Sequence, residues 1–167
     1  VNVSEHNGIV ETIVFLDLAE AQAVSGSEVK FVIAKDGDPA GYFMKFDEKI
    51  NGYIFHVSMT CVEAPTPTNG TVDEDIDLVV NSASKNQGAV FDSGTSAYLI
   101  TAGAAWTIGT SKGANLAIAT STAGLKDYYV YLAAGEDGGN SATAKYTAGK
   151  FIIRFLGVVS KPDGSVF

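Results

Sequence analysis

The residues with the clearest chemical potential lie in Ala89–Ile100, AVFDSGTSAYLI. There Asp92-Ser93-Gly94 sits between apolar runs, so Asp92 could supply one of two carboxylates that share a proton and activate a water. The acids Asp73, Asp75 and Asp77 of VDEDIDL alternate, like the opening of a calcium loop. A calcium loop of the helix-loop-helix kind needs Gly at its sixth position and Glu at its twelfth, where this chain has Leu78 and Ser84. That motif is excluded, and the alternating acids read as a solvated approach to a strand. The loop tip GEDGGN is read the same way, and no metal ligand is assigned. His6 and His56 are the only histidines. His6 falls in the first few residues, and His56 falls mid-strand on the face opposite the aromatics, the place of a surface or interface residue. Cys61 is the single cysteine. It excludes an intrachain disulfide or a cysteine zinc cluster and reads as a small buried hydrophobe. GTSKGAN lacks the ending of a phosphate-binding loop. Trp106, with Tyr128 and Tyr131, could stack on a sugar, although a lone tryptophan in a β domain more often fills a core.

The Asp92 loop resembles that of the aspartic peptidases. That family threads an apolar-apolar-Gly segment behind the loop, for which Phe155-Leu156-Gly157 could stand in. The retroviral type carries one loop per chain, and the resemblance implies a homodimer that brings two Asp92 carboxylates together. Nearly ninety residues precede the motif here, however, and no Gly-rich flap hairpin follows it. Asp-Ser-Gly is also a common turn between strands, with Gly94 free to take positive φ. Asp92 is therefore read as a turn residue, and no catalytic or cofactor-binding residue is assigned.

The elements that must position these residues read as strands. GIVETIVFLDL (Gly8–Leu18) alternates, and EVKFVIA (Glu28–Ala34) puts Val29, Phe31 and Ile33 on one face before the turn KDGDPAG. NGYIFHVSMTCVEA (Asn51–Ala64) places Tyr53, Phe55, Val57, Met59 and Cys61 on one side of the pleat. DLVVNSA, GAVFDS, SAYLIT, NLAIATS, DYYVYLAA and KFIIRFLGVV follow as short apolar pieces separated by turns. LAEAQAVSG (Leu18–Gly26) reads as one or two helical turns, and Gly135–Gly149 as a long small-residue loop. Residues 64–75, APTPTNGTVDED, are expected as an exposed crossing, because proline removes a ladder donor. Residues 1–8 are expected as a flexible arm. The pattern predicts one all-β domain over 1–167, an antiparallel β-sandwich of jelly-roll form with at most one or two short helices.

Composition limits the partners. The chain has 167 residues, 46% hydrophobic and 10% aromatic, enough for a packed core. Only 18% are charged, and the net charge is -8, which argues against a nucleic-acid surface. No apolar run is long enough to cross a bilayer as a helix. No signal peptide is expected, and Val1 in first place is read as a processed or trimmed start.

VSMTCVEAPTPTNGTVDEDIDLVVNSAS, followed later by YTAGKFIIRFLGVV, resembles structural proteins of tailed-phage particles. The resemblance covers the second two-thirds of the chain. It implies a jelly-roll virion component, with a capsid decoration (cement) protein on the outer capsid as the expectation. The partners it implies are the major capsid protein or other virion proteins, and further copies of this chain, with a trimer favoured. It implies no enzymatic activity and no cofactor. Two other classes are weighed against it: the homodimeric peptidase using Asp92, and a carbohydrate-binding or adhesin sandwich using Trp106, Tyr128 or Tyr131.

Overall fold

In a computed structural model the chain is described over residues 1–23, 30–68, 75–91, 96–116, 125–134 and 143–159. Eleven strands and one helical turn succeed one another in these residues. They are β1 (Asn2–His6), β2 (Ile9–Asp17), β3 (Ala21–Ala23), β4 (Val32–Lys35), β5 (Met44–Lys45), α1 (Glu48–Asn51) and β6 (Tyr53–Pro67). Then come β7 (Ile76–Asn81), β8 (Ser96–Ile100), β9 (Ser111–Asn115), β10 (Tyr129–Ala134) and β11 (Ala144–Val158). Every pairing is antiparallel.

Two sheets result. The first runs β1-β2-β11-β6-β9, and in the second β10 pairs β4 and β5 on one side and β7, followed by β8, on the other. Short β3 bonds to both β11 and β4 and joins the sheets at one corner. Alternation along each strand sends one set of side chains between the sheets. Val14, Val57, Met59 and Ile153 of the first meet Ile33, Leu78, Val80 and Leu132 of the second in one buried cluster. Aromatic edges fix the contact: Phe46 meets Phe155 at 5.0 Å and Trp106 meets Phe151 at 5.3 Å between ring centroids, both T-shaped. The expected all-β antiparallel sandwich is what the chain forms.

Several local expectations change. Residues 1–8 form edge strand β1 and a two-residue turn at Asn7-Gly8, both at positive φ (52° and 77°). That backbone twist suits a tight hairpin, and Asn and Gly adopt it most readily. The helix expected after Leu18 is instead a turn and β3, which Ala21–Ala23 form by bonding to β11 and β4. The residues Ala64–Pro67, expected in an exposed crossing, are the end of β6. Beyond Cys61 the partner β9 has ended, so this stretch pairs with β11 alone and its prolines leave no ladder bond unmade. The loop expected over Gly135–Gly149 is strand from Ala144 onward. Strand β9 occupies Ser111–Asn115, and the strand expected at NLAIATS falls from residue 117 onward outside the described residues.

Within β6, Val57, Met59 and Cys61 face the core as their spacing predicts. The period breaks at Phe55, where Leu156↔His56 is followed by Gly157↔Ile54. This bulge turns Ile54 into the core and leaves Tyr53 and Phe55 half-buried. Beside it stands Gly157, where a Cβ would lie 2.1 Å from the Asn51 carbonyl oxygen. Only glycine lets the α1 backbone pass so close to β11.

Candidate functional site

The two outer faces of the sandwich differ. Over the second sheet, residues 83–91 fold back and cover Val32, Val79, Tyr131 and Ala133, with Phe91 packed among them. Tyr131 Oη donates to the Ala83 carbonyl at 3.0 Å and accepts from Lys85 N–H at 2.8 Å. Gly88 N–H donates to the Val32 carbonyl, and Val32 N–H donates to that of Ala89. Strand β7 is consequently buried at all six positions.

Among the described residues the first sheet carries no such cover. Its outward rows follow from register. Asp17, Lys150 and Glu63 form one row, Phe15, Ile152 and Thr60 the next, then Ile13, Arg154 and Ser58, then Glu11, Leu156 and His56. The ammonium of Lys150 lies 2.5 Å from Glu63 Oε2, and Arg154 pairs with Glu11. Between these charged pairs runs an apolar row in which Phe15 is 61% exposed. Val62, two residues beyond Thr60 on the same outward side of β6, adds to the row, and the register shift at Lys150/Phe151 sets Glu63 opposite Lys150. Phe15, Val62, Phe151 and Ile152 line a shallow groove of about 390 Å³. Along the hairpin edge Val3 and Ile9 are also exposed. On the far side, His56 Nδ1 meets Asn115 Oδ1 at 2.7 Å and Thr60 bonds Ser111, so polar cross-strand pairs frame the patch. The expectation of a surface place for His56 agrees with this position, and His6 is on exposed β1.

The Lys150 ammonium holds the Glu63 carboxyl below the usual carboxylate value, and Lys150 is itself raised by Glu63. Cys61 is a free thiol in the core, and burial pushes it up.

A second constellation lies beneath the covered face. Lys30 Nζ is 2.7 Å from Asp77 Oδ2, with the two side chains 6% and 0% exposed. Asp77 Oδ1 accepts from Ala102 N–H at 2.7 Å, and the Tyr98 ring centroid is 4.0 Å from Nζ. Lys30 takes φ 80°, a left-handed backbone that a lysine seldom adopts, and Phe91 N–H donates to its carbonyl. The expectation of a solvated acidic approach is corrected here: Asp75 and Asp77 are buried. The reason is tertiary. The cover over β7 takes its outer face from water, and Lys30 supplies the opposite charge from a segment 47 residues away. Asp73 lies outside the described residues. Among the described residues no group of three or more His, Cys, Asp or Glu side chains could hold a metal ion.

Asp92 also lies outside the described residues, but its expected companions do not. Phe91 packs on the outer face of the second sheet, whereas Phe155 lies in the core between the sheets. Gly157 is accounted for by the Asn51 carbonyl. Phe91 and Phe155 therefore belong to different layers. Of the residues weighed for sugar stacking, Trp106 takes the core place expected of a lone tryptophan, and the two tyrosines are not free to stack either. Trp106 is buried with Nε1–H donating to the Ile76 carbonyl at 2.8 Å, Tyr131 is fully buried, and Tyr128 is partly buried against the core.

These features define the chain as an antiparallel β-sandwich in which, among the described residues, one sheet face is covered by the chain and the other carries an exposed apolar row. Compared with known proteins, it matches no family, no curated protein and no solved structure.

Proposed function

We propose that the protein is a structural component of a virion, a capsid decoration protein that acts by docking and not by catalysis. The observation that carries this reading is the bare apolar row of Phe15, Ile152 and Val62, set against an opposite face sealed by the chain itself. An exposed apolar patch rimmed by ion pairs is the usual form of a protein-binding surface. Five strands about 4.8 Å apart and averaging some 30 Å in length present roughly 700 Å², near the area each partner gives to a standard interface.

The topology supports the same reading. With β4 and β5 taken as one strand, the eight long positions in chain order fall into sheets β2-β11-β6-β9 and β5-β10-β7-β8. We read this as the jelly-roll order, a scaffold common in capsid and lectin domains. The likeness of VSMTCVEAPTPTNGTVDEDIDLVV to tailed-phage structural proteins adds the capsid as the lattice, with a trimer of this chain as the docking unit. Edge strand β1 would extend that contact in place of a disordered arm.

The test is sedimentation velocity of the chain, run beside co-sedimentation with tailed-phage shells stripped of their own decoration protein. The reading expects an oligomer that pellets with shells, and Phe15→Glu abolishing at least one of the two. A monomer that never pellets with shells would overturn it.

A further inference from the structure

We propose that Lys30 and Asp77 condense into an intramolecular isopeptide bond, joining Nζ to Cγ across the second sheet. The amine and the carboxyl are in hydrogen-bond contact at 2.7 Å, and both are closed off from solvent. Keeping both charged there carries the desolvation penalty of two buried ions. Transfer of one proton from the ammonium to the carboxylate removes both charges. It also leaves a neutral amine beside a carboxylic acid, the reactive pair for amide formation.

The surroundings suit that step. Ala102 N–H, 2.7 Å from Oδ1, is placed to hold the oxygen that becomes negative when Nζ attacks Cγ. The C–N bond forms, the nitrogen gives up a proton to Oδ2, and the Cγ–Oδ2 bond breaks as Oδ2 leaves as water. One amide is made and one water is lost, with no oxidant, reductant or co-reactant. The Tyr98 ring lies over the nitrogen, 4.0 Å from it to the ring centroid. Holding the reactants in contact supplies an effective concentration on the order of 10⁵ M or more, which offsets the unfavourable condensation.

Strand order makes the bond consequential. β10 lies between β4 and β7, and Ala133 on β10 is the register partner of both Val32 and Asp77. The lysine stem reaches across β10 at this small residue, so the bond would staple the chain before β4 to β7. The left-handed backbone at Lys30 aims that stem, a strain tolerated where the surroundings fix it.

Intact-mass spectrometry of the denatured full chain tests this directly. The expected mass is one water below that of the sequence. Tryptic digestion should leave the chain uncut after Lys30 and yield a branched peptide containing Lys30 and Asp77. Lys30→Arg and Asp77→Ala should each restore the full sequence mass. A wild-type chain at full sequence mass overturns the proposal and leaves the pair ionic. A missing water mapped to any other residue overturns it as well. The wild-type measurement decides the matter even where a variant fails to fold.

Discussion

Replacing Gly157 with alanine adds a single methyl group at the point where the α1 backbone passes closest to β11. The new Cβ would stand 2.1 Å from the Asn51 carbonyl oxygen, whereas real Cβ atoms essentially never come under 3.0 Å. Asn51 cannot simply retreat. Its N–H donates to the Asp47 carbonyl at 2.7 Å, its Oδ1 accepts from Asp47 N–H, and its Nδ2 donates to buried Thr12 Oγ1 at 3.0 Å. Relief therefore means moving β11 or unseating α1 with these bonds. Overpacking of this kind costs about 1–3 kcal/mol, and the breaking of a buried hydrogen bond adds about 1 kcal/mol more. For a chain of this size each kcal/mol lowers the melting midpoint by roughly 2–4 °C, so a fall of about 4–16 °C is expected. Thermal unfolding by circular dichroism, with Gly113→Ala alongside, is the assay. Gly113 lies on edge strand β9, where a Cβ would approach the Val57 carbonyl to 3.1 Å, a contact the edge can relax. The smaller loss belongs to Gly113→Ala. Equal midpoints for Gly157→Ala and wild type would refute the close-approach argument and reopen a functional reason for that glycine.

Other expectations follow from the same structure. Phe15→Glu and Val62→Glu should change stability by no more than about 0.5 kcal/mol in urea unfolding while abolishing the proposed self-association or shell binding, because both side chains are exposed. Trp106→Phe should cost about 1–3 kcal/mol by leaving the Ile76 carbonyl unpaired in the core, and the single tryptophan should emit as a buried indole until unfolding. Because Lys150 depresses the folded value of Glu63, that carboxylate's contribution is complete above its unfolded value and fades as pH falls through the folded one. In an NMR titration, Lys150→Met should move Glu63 back up toward the ordinary carboxylate value. Cys61 should resist thiol reagents in the native state and react on unfolding, since its thiol is buried and shifted upward.

The legible parts were those governed by nearest neighbours. Period-two patterning gave β2, the inward set Val57, Met59 and Cys61 on β6, and the short strands of the second half, because alternation across a pleat is a local property. It failed at Phe55, where a bulge set by the partner strand reverses the faces, and at Pro65 and Pro67, whose tolerance depends on β9 having ended. The bare face was half legible: Phe15 alternates outward in sequence, but only register sets Ile152 opposite it and Val62 nearby.

By itself the sequence determined an antiparallel β-sandwich with a greasy interior, since composition and alternation act through local sterics and burial. Tertiary structure alone decided the fates of Lys30, Asp77 and Trp106. A lysine, an aspartate and a tryptophan take their meaning from what lies across a sheet. Those neighbours come from segments dozens of residues away, brought together only when the strands are ordered and one face is covered.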